Sequence, residues 1–290
     1  MLLAAGCGDD EAETGSTPTP DPTAAPAEPG SAANAFIGSV AVDPGDGTLM
    51  LATGLGLFRL PPGAGQPERV TGELRTPDGA GQLSSNLVVR YAEAGDLLAS
   101  GHPEGEGSLP EDLGLIRSTD AGGTWEAVSQ LGESDFHILQ ATGDHVVAVR
   151  AQEADVLVSR DGGRSFEART PPEPPVDVAF DPEEPARMVV ATAQGTFSSA
   201  DGGGSWRPRD PVPSEQLAWG AEGIYRSDPG GAVKHSTDGG ATWQDRGNVG
   251  IAVNELAIDD DGALYASVPG GEVRRSTDGG ATWKRLLRLE

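Results

Sequence analysis

The octapeptide Ser276–Trp283 (STDGGATW) occurs a second time, unchanged, at Ser236–Trp243, and looser copies stand at Ser118–Trp125, Ser159–Phe166 and Ser199–Trp206. The aspartates fall at 120, 161, 201, 238 and 278, so successive copies lie 37 to 41 residues apart. A fixed period near 40 means one supersecondary unit repeated, and a unit of that size cannot bury its apolar face alone. Each copy must pack against the next.

The chemistry of the unit is legible. Apolar residues precede the copies at Leu113–Ile116, Val156–Val158 and Val189–Ala191, in the pattern of strands. Asp-Gly-Gly marks a tight turn, because glycine reaches positive φ at no steric cost. The short Asp side chain can accept hydrogen bonds from the turn's own N–H groups. The closing aromatic starts the next strand and buries its ring. At roughly 150–250 Å² of surface, that burial is worth at most about 4–6 kcal/mol per copy. Asp120, Asp161, Asp201, Asp238 and Asp278, with Trp125, Phe166, Trp206, Trp243 and Trp283, are therefore read as structural residues.

These residues resemble the Asp-box (BNR) pattern S-x-D-x-G-x-T-W of sialidases, of the luminal domain of sortilin-type receptors, and of propellers like the photosystem II assembly factors. The resemblance implies an all-β propeller in which each box is the hairpin between a blade's third and fourth strands, and the count of modules along the chain makes it a six-bladed β-propeller. The resemblance also implies that the boxes lie on the face away from the ligand site. Six modules can be laid along the chain, at 35–71, 86–129, 136–169, 176–209, 216–246 and 253–289. The first reads as strands Phe36–Val42, Leu49–Thr53, Gly56–Leu60 and Glu68–Thr71, with Pro62 and Pro67 where the second has Asp120 and Trp125. It keeps the hairpin and has lost the box. Closure is expected from packing of blade six on blade one, with no strand shared between the termini.

The 290 residues carry a formal net charge of −25, with 42 Gly and 23 Pro. So acidic a chain repels phosphate backbones, and no basic patch with interleaved aromatics offsets this, so nucleic acid is not an expected partner. No run is long enough to span a membrane. Residues 8–34 hold no large apolar side chain and cannot form a core; they are expected to be a disordered acidic, Pro/Ala-rich tether to the propeller of 35–290. Cys7 is the only cysteine, which excludes an internal disulfide and C-x-x-C metal pairs. Residues 1–7 (Leu2-Leu-Ala-Ala-Gly-Cys7 after Met1) resemble the end of a bacterial lipoprotein signal. Lipidation of Cys7 would anchor an exported protein on the outer side of the cytoplasmic membrane. The stretch is too short to be a whole signal, so translation is expected to begin upstream.

In a propeller, the two–three loops and the inter-blade links share the face opposite the boxes, where function usually resides. Here the outsized two–three loop Gly101–Asp112 and the long link Gly72–Ser85 enter blade two from that face, beside the link Gly132–His137. His102, Glu104, Asp135, His137, Arg150 and Arg226 are the resulting binding candidates, with Asp135, His137 and His102 as weak catalytic ones. Two imidazoles and a carboxylate could bind a divalent metal or move protons. Loop-shaping hydrogen bonds are the favoured reading of the two histidines, with no metal and no cofactor.

Sialidases clamp a carboxylate with three arginines. Arg150 and Arg226 end second strands on the loop face, whereas Arg59 and Arg117 flank hairpins on the other. Tyr91, Tyr225 and Tyr265 have no placeable partner Glu and read as packing. Trp219, outside any box, is either core or a stacking platform for a sugar. The segments AVDPGDGTLMLATGLGLFRL, ASGHPE, LGLIRSTDAGGTW and LGESDFHIL together resemble exported actinobacterial proteins labelled glycosyl hydrolase or sialidase-like. Relatives begin with H-x-H-G, where this chain has Phe36 and Gly38. The expectation is a non-catalytic binding or assembly module for an extracytoplasmic protein or glycan, acting through the loop face over blades two and three. The rivals are a glycoside hydrolase, drawing on Glu104, Glu106, Glu111, Asp112 and Asp135, and an assembly factor for a membrane complex.

Overall fold

The second strand of a module is an unbroken apolar run, whereas the fourth is mostly charged or polar. This gradient is what a radial blade demands, since strands near the middle of each sheet are covered on both faces and the outermost meets water. The computed structural model describes residues 36–77, 79–83, 87–103, 109–151 and 153–289, so Cys7, the 8–34 segment, Glu104 and Glu106 lie outside the described residues. Leu49–Thr53, Met188–Thr192 and Leu264–Val268 are buried along their whole length. The fourth strands Arg207–Asp210 and Gln244–Asn248 are largely exposed.

Six sheets result, antiparallel except for one pairing in blade two, with innermost strands Ile37–Val42, Leu87–Glu93, Phe136–Thr142, Pro175–Phe180, Gln216–Gly220 and Glu255–Ile258. Each innermost strand packs on the next, and Glu255–Ile258 packs back on Ile37–Val42, so the sheets form a closed six-bladed β-propeller. No strand is shared at the seam. Tyr265, Val273, Leu287 and Leu289 of blade six form one apolar cluster with Ile37, Val40, Leu49 and Leu51 of blade one. The buried Ser267 hydroxyl adds a hydrogen bond of 3.0 Å to the Ile37 carbonyl. No helix of the described residues is long and apolar enough to cross a membrane.

The repeated hairpins are built alike. In the last, the Asp278 Oδ1 accepts from the Ser276 hydroxyl at 2.8 Å and from the Thr282 N–H at 2.9 Å, while Oδ2 accepts from the Thr282 hydroxyl at 2.6 Å. The Ser276 Oγ in turn accepts from the Gly280 N–H at 2.9 Å. The same set surrounds Asp120, Asp161, Asp201 and Asp238. The second residue after each Asp (Gly122, Gly163, Gly203, Gly240 and Gly280) sits at φ between 83° and 85°, a conformation only glycine adopts without steric cost.

Blade two departs from the expectation. The Gly72–Ser85 link was read as a loop on the face opposite the hairpins. Instead Gly72–Thr76 and Gly79–Leu83 form a hairpin whose first strand pairs in parallel with Thr124–Ser129, adding two strands to the blade's outer edge. Leu74 and Leu83 thereby cover Trp125, which is fully buried, while Phe166, Trp206, Trp243 and Trp283 are only partly buried.

Candidate functional site

A charged residue in the middle of an innermost strand faces the ring's axis, where six strands converge and water is scarce. Arg90 does this in blade two. Its guanidinium donates to Ser39 Oγ of blade one at 2.9 Å and Gln140 Oε1 of blade three at 3.2 Å, and forms an ion pair with Glu255 of blade six. Asp177 of blade four accepts from its neighbour's N–H, Val178, at 2.8 Å and from Leu217 N–H of blade five at 2.7 Å. Arg90 thus ties blades one, two, three and six at the axis, and Asp177 ties blade four to blade five. Burial, reinforced by the negative charge of Glu255, pushes the Asp177 carboxyl up to about 7, and burial raises Glu255 as well. The folded chain holds the Asp177 proton to higher pH than the unfolded chain does. This group therefore favours folding most below about pH 4 and loses that contribution as pH rises through about 7.

Two cavities lie on opposite sides of this polar crossing. One, of about 500 Å³, opens on the face that carries the repeated hairpins. It is lined by the ends of all six innermost strands, at Val42, Ala92, Thr142, Phe180, Gly220 and Ile258. Trp219 also lines it, half-buried, with the Arg187 guanidinium 5.7 Å from its ring centre. The sequence reading puts the ligand site on the face away from the hairpins, whereas this cavity opens on the hairpin face itself. The one–two turns project inward of the hairpins, and their inner edges form a mouth.

The second, of about 450 Å³, opens on the loop face between blades one, two and three. Phe36, Thr53, Leu87, His102, Phe136 and His137 line it. Phe136 is fully buried and packs its ring 5.5 Å from that of Phe166, so the residues on either side of it turn the other way. A bulge between Phe136 and Ile138 re-aims His137 outward. His137 Nε2 then lies 2.7 Å from Asp135 Oδ2, and His102 Nε2 lies 3.9 Å from the same oxygen. The three side chains singled out in the sequence are together in space, their candidate ligand atoms all within 4.8 Å of one another.

The arginines behave differently from the reading that made them available to a ligand. Arg226 is 2% exposed, paired with Asp210 at 2.7 Å and stacked over the Trp243 ring at 4.4 Å, where it ties blade five to blade four. Arg150 donates to Ser134, Gln130 and Glu153 at 2.9–3.0 Å, and lines a third cleft of about 470 Å³ that it shares with His137. Tyr225 stacks on His235 at 4.2 Å, and the Tyr265 hydroxyl donates to Asp259 at 2.9 Å, both within blades. Glu111 is exposed at the end of the two–three loop. The axial group of Ser39, Arg90, Gln140, Asp177 and Glu255 is absent from the sequence reading. Its only signal is a lone polar residue in each apolar strand pattern, as in Val88-Val-Arg90 and Val176-Asp-Val178.

No protein-family model and no curated protein matches the chain. Among solved structures it is similar to YCF48 from Cyanidioschyzon merolae, with 17% identity and a TM-score of 0.52 over 86% of this chain and 84% of that one. It is similar to an ancestral GH74 enzyme, at 15% identity and a TM-score of 0.58 over 91% of this chain and 40% of that one. The GH74 xyloglucanase from Xanthomonas campestris gives 17% and 0.53, over 88% of this chain and 46% of that one. The chain therefore spans less than half the length of either GH74 protein. What it has in common with all three is the β-propeller fold.

Proposed function

We propose that this protein is a non-catalytic docking module, an exported propeller held to the membrane through lipidated Cys7, which binds an extracytoplasmic protein with its loop face. One observation supports this above the rest. Of the five large apolar side chains that are exposed among the described residues, four lie at inter-blade links or at the starts of innermost strands: Phe36 (51%), Val176 (43%), Val212 (46%) and Ile251 (40%). Both positions belong to the loop face. Apolar side chains gathered on one face and rimmed by polar loops are the anatomy of a protein interface. The footprint this implies is wider than blades two and three, since Val212 and Ile251 sit at the far side of the ring. Membership of the Asp-box, sialidase-like group belongs to the same reading. Its support is the hairpin geometry repeated five times, and it carries no activity with it.

A second reading, glycoside hydrolysis, has one observation of its own. The hairpin-face cavity presents Trp219 beside Glu183, Asp259 and Asp260, an aromatic platform with carboxylates at its rim. Asp259 is already engaged by Tyr265 and by the Ala263 N–H at 2.7 Å, which suits a turn better than an acid catalyst. The readings part on one experiment. Full-length protein is used to capture partners from a solubilised cell-envelope extract, alongside a Phe36→Ser/Val212→Ser/Ile251→Ser variant and a Leu286→Ser control on the outer edge of blade six. The docking reading expects capture by the wild type and the control and loss in the triple variant. Release of sugar from xyloglucan or sialoside substrates that stops in Trp219→Ala, with no dependence on the triple substitution, would replace it.

A further inference from the structure

Ordinary hydrogen bonding accounts for only part of the group at the loop-face cavity. The His137–Asp135 contact uses one imidazole nitrogen and one carboxylate oxygen, Oδ2. It leaves unexplained why His102, from a different blade, turns its Nε2 to that same oxygen at 3.9 Å. It also leaves Asp135 Oδ1 buried with no hydrogen-bond partner among the described residues. A buried carboxylate oxygen without a partner is costly, so its persistence asks for a further ligand.

We propose that His102, Asp135 and His137 form a binding site for a divalent transition metal of the zinc class. Two imidazoles and one carboxylate are a donor set that suits zinc and its imidazole-preferring neighbours over calcium or magnesium, which take oxygen. With bonds of about 2.0–2.2 Å, a tetrahedral ion needs its ligand atoms about 3.4 Å apart. The three atoms here lie within 4.8 Å, so a side-chain shift of about 1 Å at His102 and His137, 43% and 59% exposed, would open the 2.7 Å His137–Asp135 pair and draw His102 in. The backbone is already set. Gly101, at φ 135°, turns the chain into His102 and Pro103, and the bulge at His137 fixes the second imidazole. Three protein ligands leave the remaining coordination position facing the cavity of about 450 Å³, open to water or to a donor atom from a bound molecule. The site goes beyond partner docking and stands independently of it, since it needs neither Val212 nor Ile251.

The test is calorimetric titration of the full chain with Zn²⁺ alone, in a Cys7→Ser background that removes the only thiol. The expected result is one ion per chain, with affinity lowered at least ~10-fold by each of His102→Ala, Asp135→Asn and His137→Ala. His235→Ala, which alters a histidine stacked on Tyr225, should leave it unchanged. Thermal unfolding of His102→Ala and His137→Ala without metal should match the wild type, because both side chains are largely exposed. Binding should weaken on acidification, since the metal displaces the imidazole protons. No binding at about 100 times the affinity range of such three-ligand sites, binding that survives all three substitutions, or Mg²⁺ binding as tight as Zn²⁺ would each overturn the assignment.

Discussion

The two faces of this propeller are made by different rules. On one, five hairpins repeat a single solution: a carboxylate accepts from a Ser hydroxyl at 2.7–2.8 Å and from a backbone N–H at 2.7–3.0 Å, and an aromatic ring closes the turn. On the other, equivalent positions hold unlike residues. The bulge that opens an innermost strand carries Gly38 in blade one, His137 in blade three and Val176 in blade four. A repeated device can only encode what every blade needs, which is closure. A feature that occurs once is released from that duty and is where recognition can be built.

The comparison sharpens within the hairpin face itself. Blade two's hairpin has Ala121 at φ 58°, where the other four place glycine, and that residue carries a strain of about 1–2 kcal/mol. The same hairpin is the one roofed by the added strands over Trp125. Trp125→Ala should therefore be the most damaging of the aromatic substitutions, at about 3–5 kcal/mol by chemical denaturation. Trp283→Ala, at a partly exposed ring, should cost clearly less. Equal losses would mean the extra hairpin gives no cover.

Smaller effects belong to single hydrogen bonds. Ser276→Ala removes the acceptor for the Gly280 N–H inside a buried turn and should cost about 1–3 kcal/mol. The smallest effect is spread over exposed groups and appears only in acid. The hydroxyls of Ser165, Ser205 and Thr282 hold Asp161, Asp201 and Asp278 at about 2. Since the unfolded carboxyl titrates at about 3.9, their contribution is complete above that pH and disappears as pH falls toward about 2. Thermal midpoints followed from about pH 5 downward should drop through that window, and Thr282→Val, which removes the bond that most lowers Asp278, should make the drop smaller. A midpoint flat from about pH 4 to pH 2 would remove the aspartates from the stabilising role given to them here.

Much of the frame was readable in advance, and the reasons are specific. Leu49–Thr53 and Gly56–Leu60 form the strands expected of them even though the first hairpin has lost its Asp and Trp, because the apolar pattern and the turn survive the loss of the staple. His102, Asp135 and His137 meet as expected, because loop topology in a closed ring decides which links share a face. The hairpin of Gly72–Leu83 was missed, although Pro77-Asp78-Gly79 is ordinary turn chemistry, because nothing local says that a strand will add in parallel to an outer edge. Arg226 looked available because it ends a strand at the loop face, but it is taken by Asp210 and by the Trp243 ring.

By itself the sequence determined the repeat, the turn chemistry, the strand pattern and the number of modules, because each is fixed by residues within about 40 positions of one another. The tertiary structure alone decided what happens at the axis. Arg90 and Glu255 stand 165 residues apart and meet only because six strands converge on one line. There a charge loses its water and must find a partner, and the cavity that Arg90 lines opens on the side that holds the staples. Local periodicity builds the blades, but convergence sets the electrostatics of the centre, and no pattern along the chain records it.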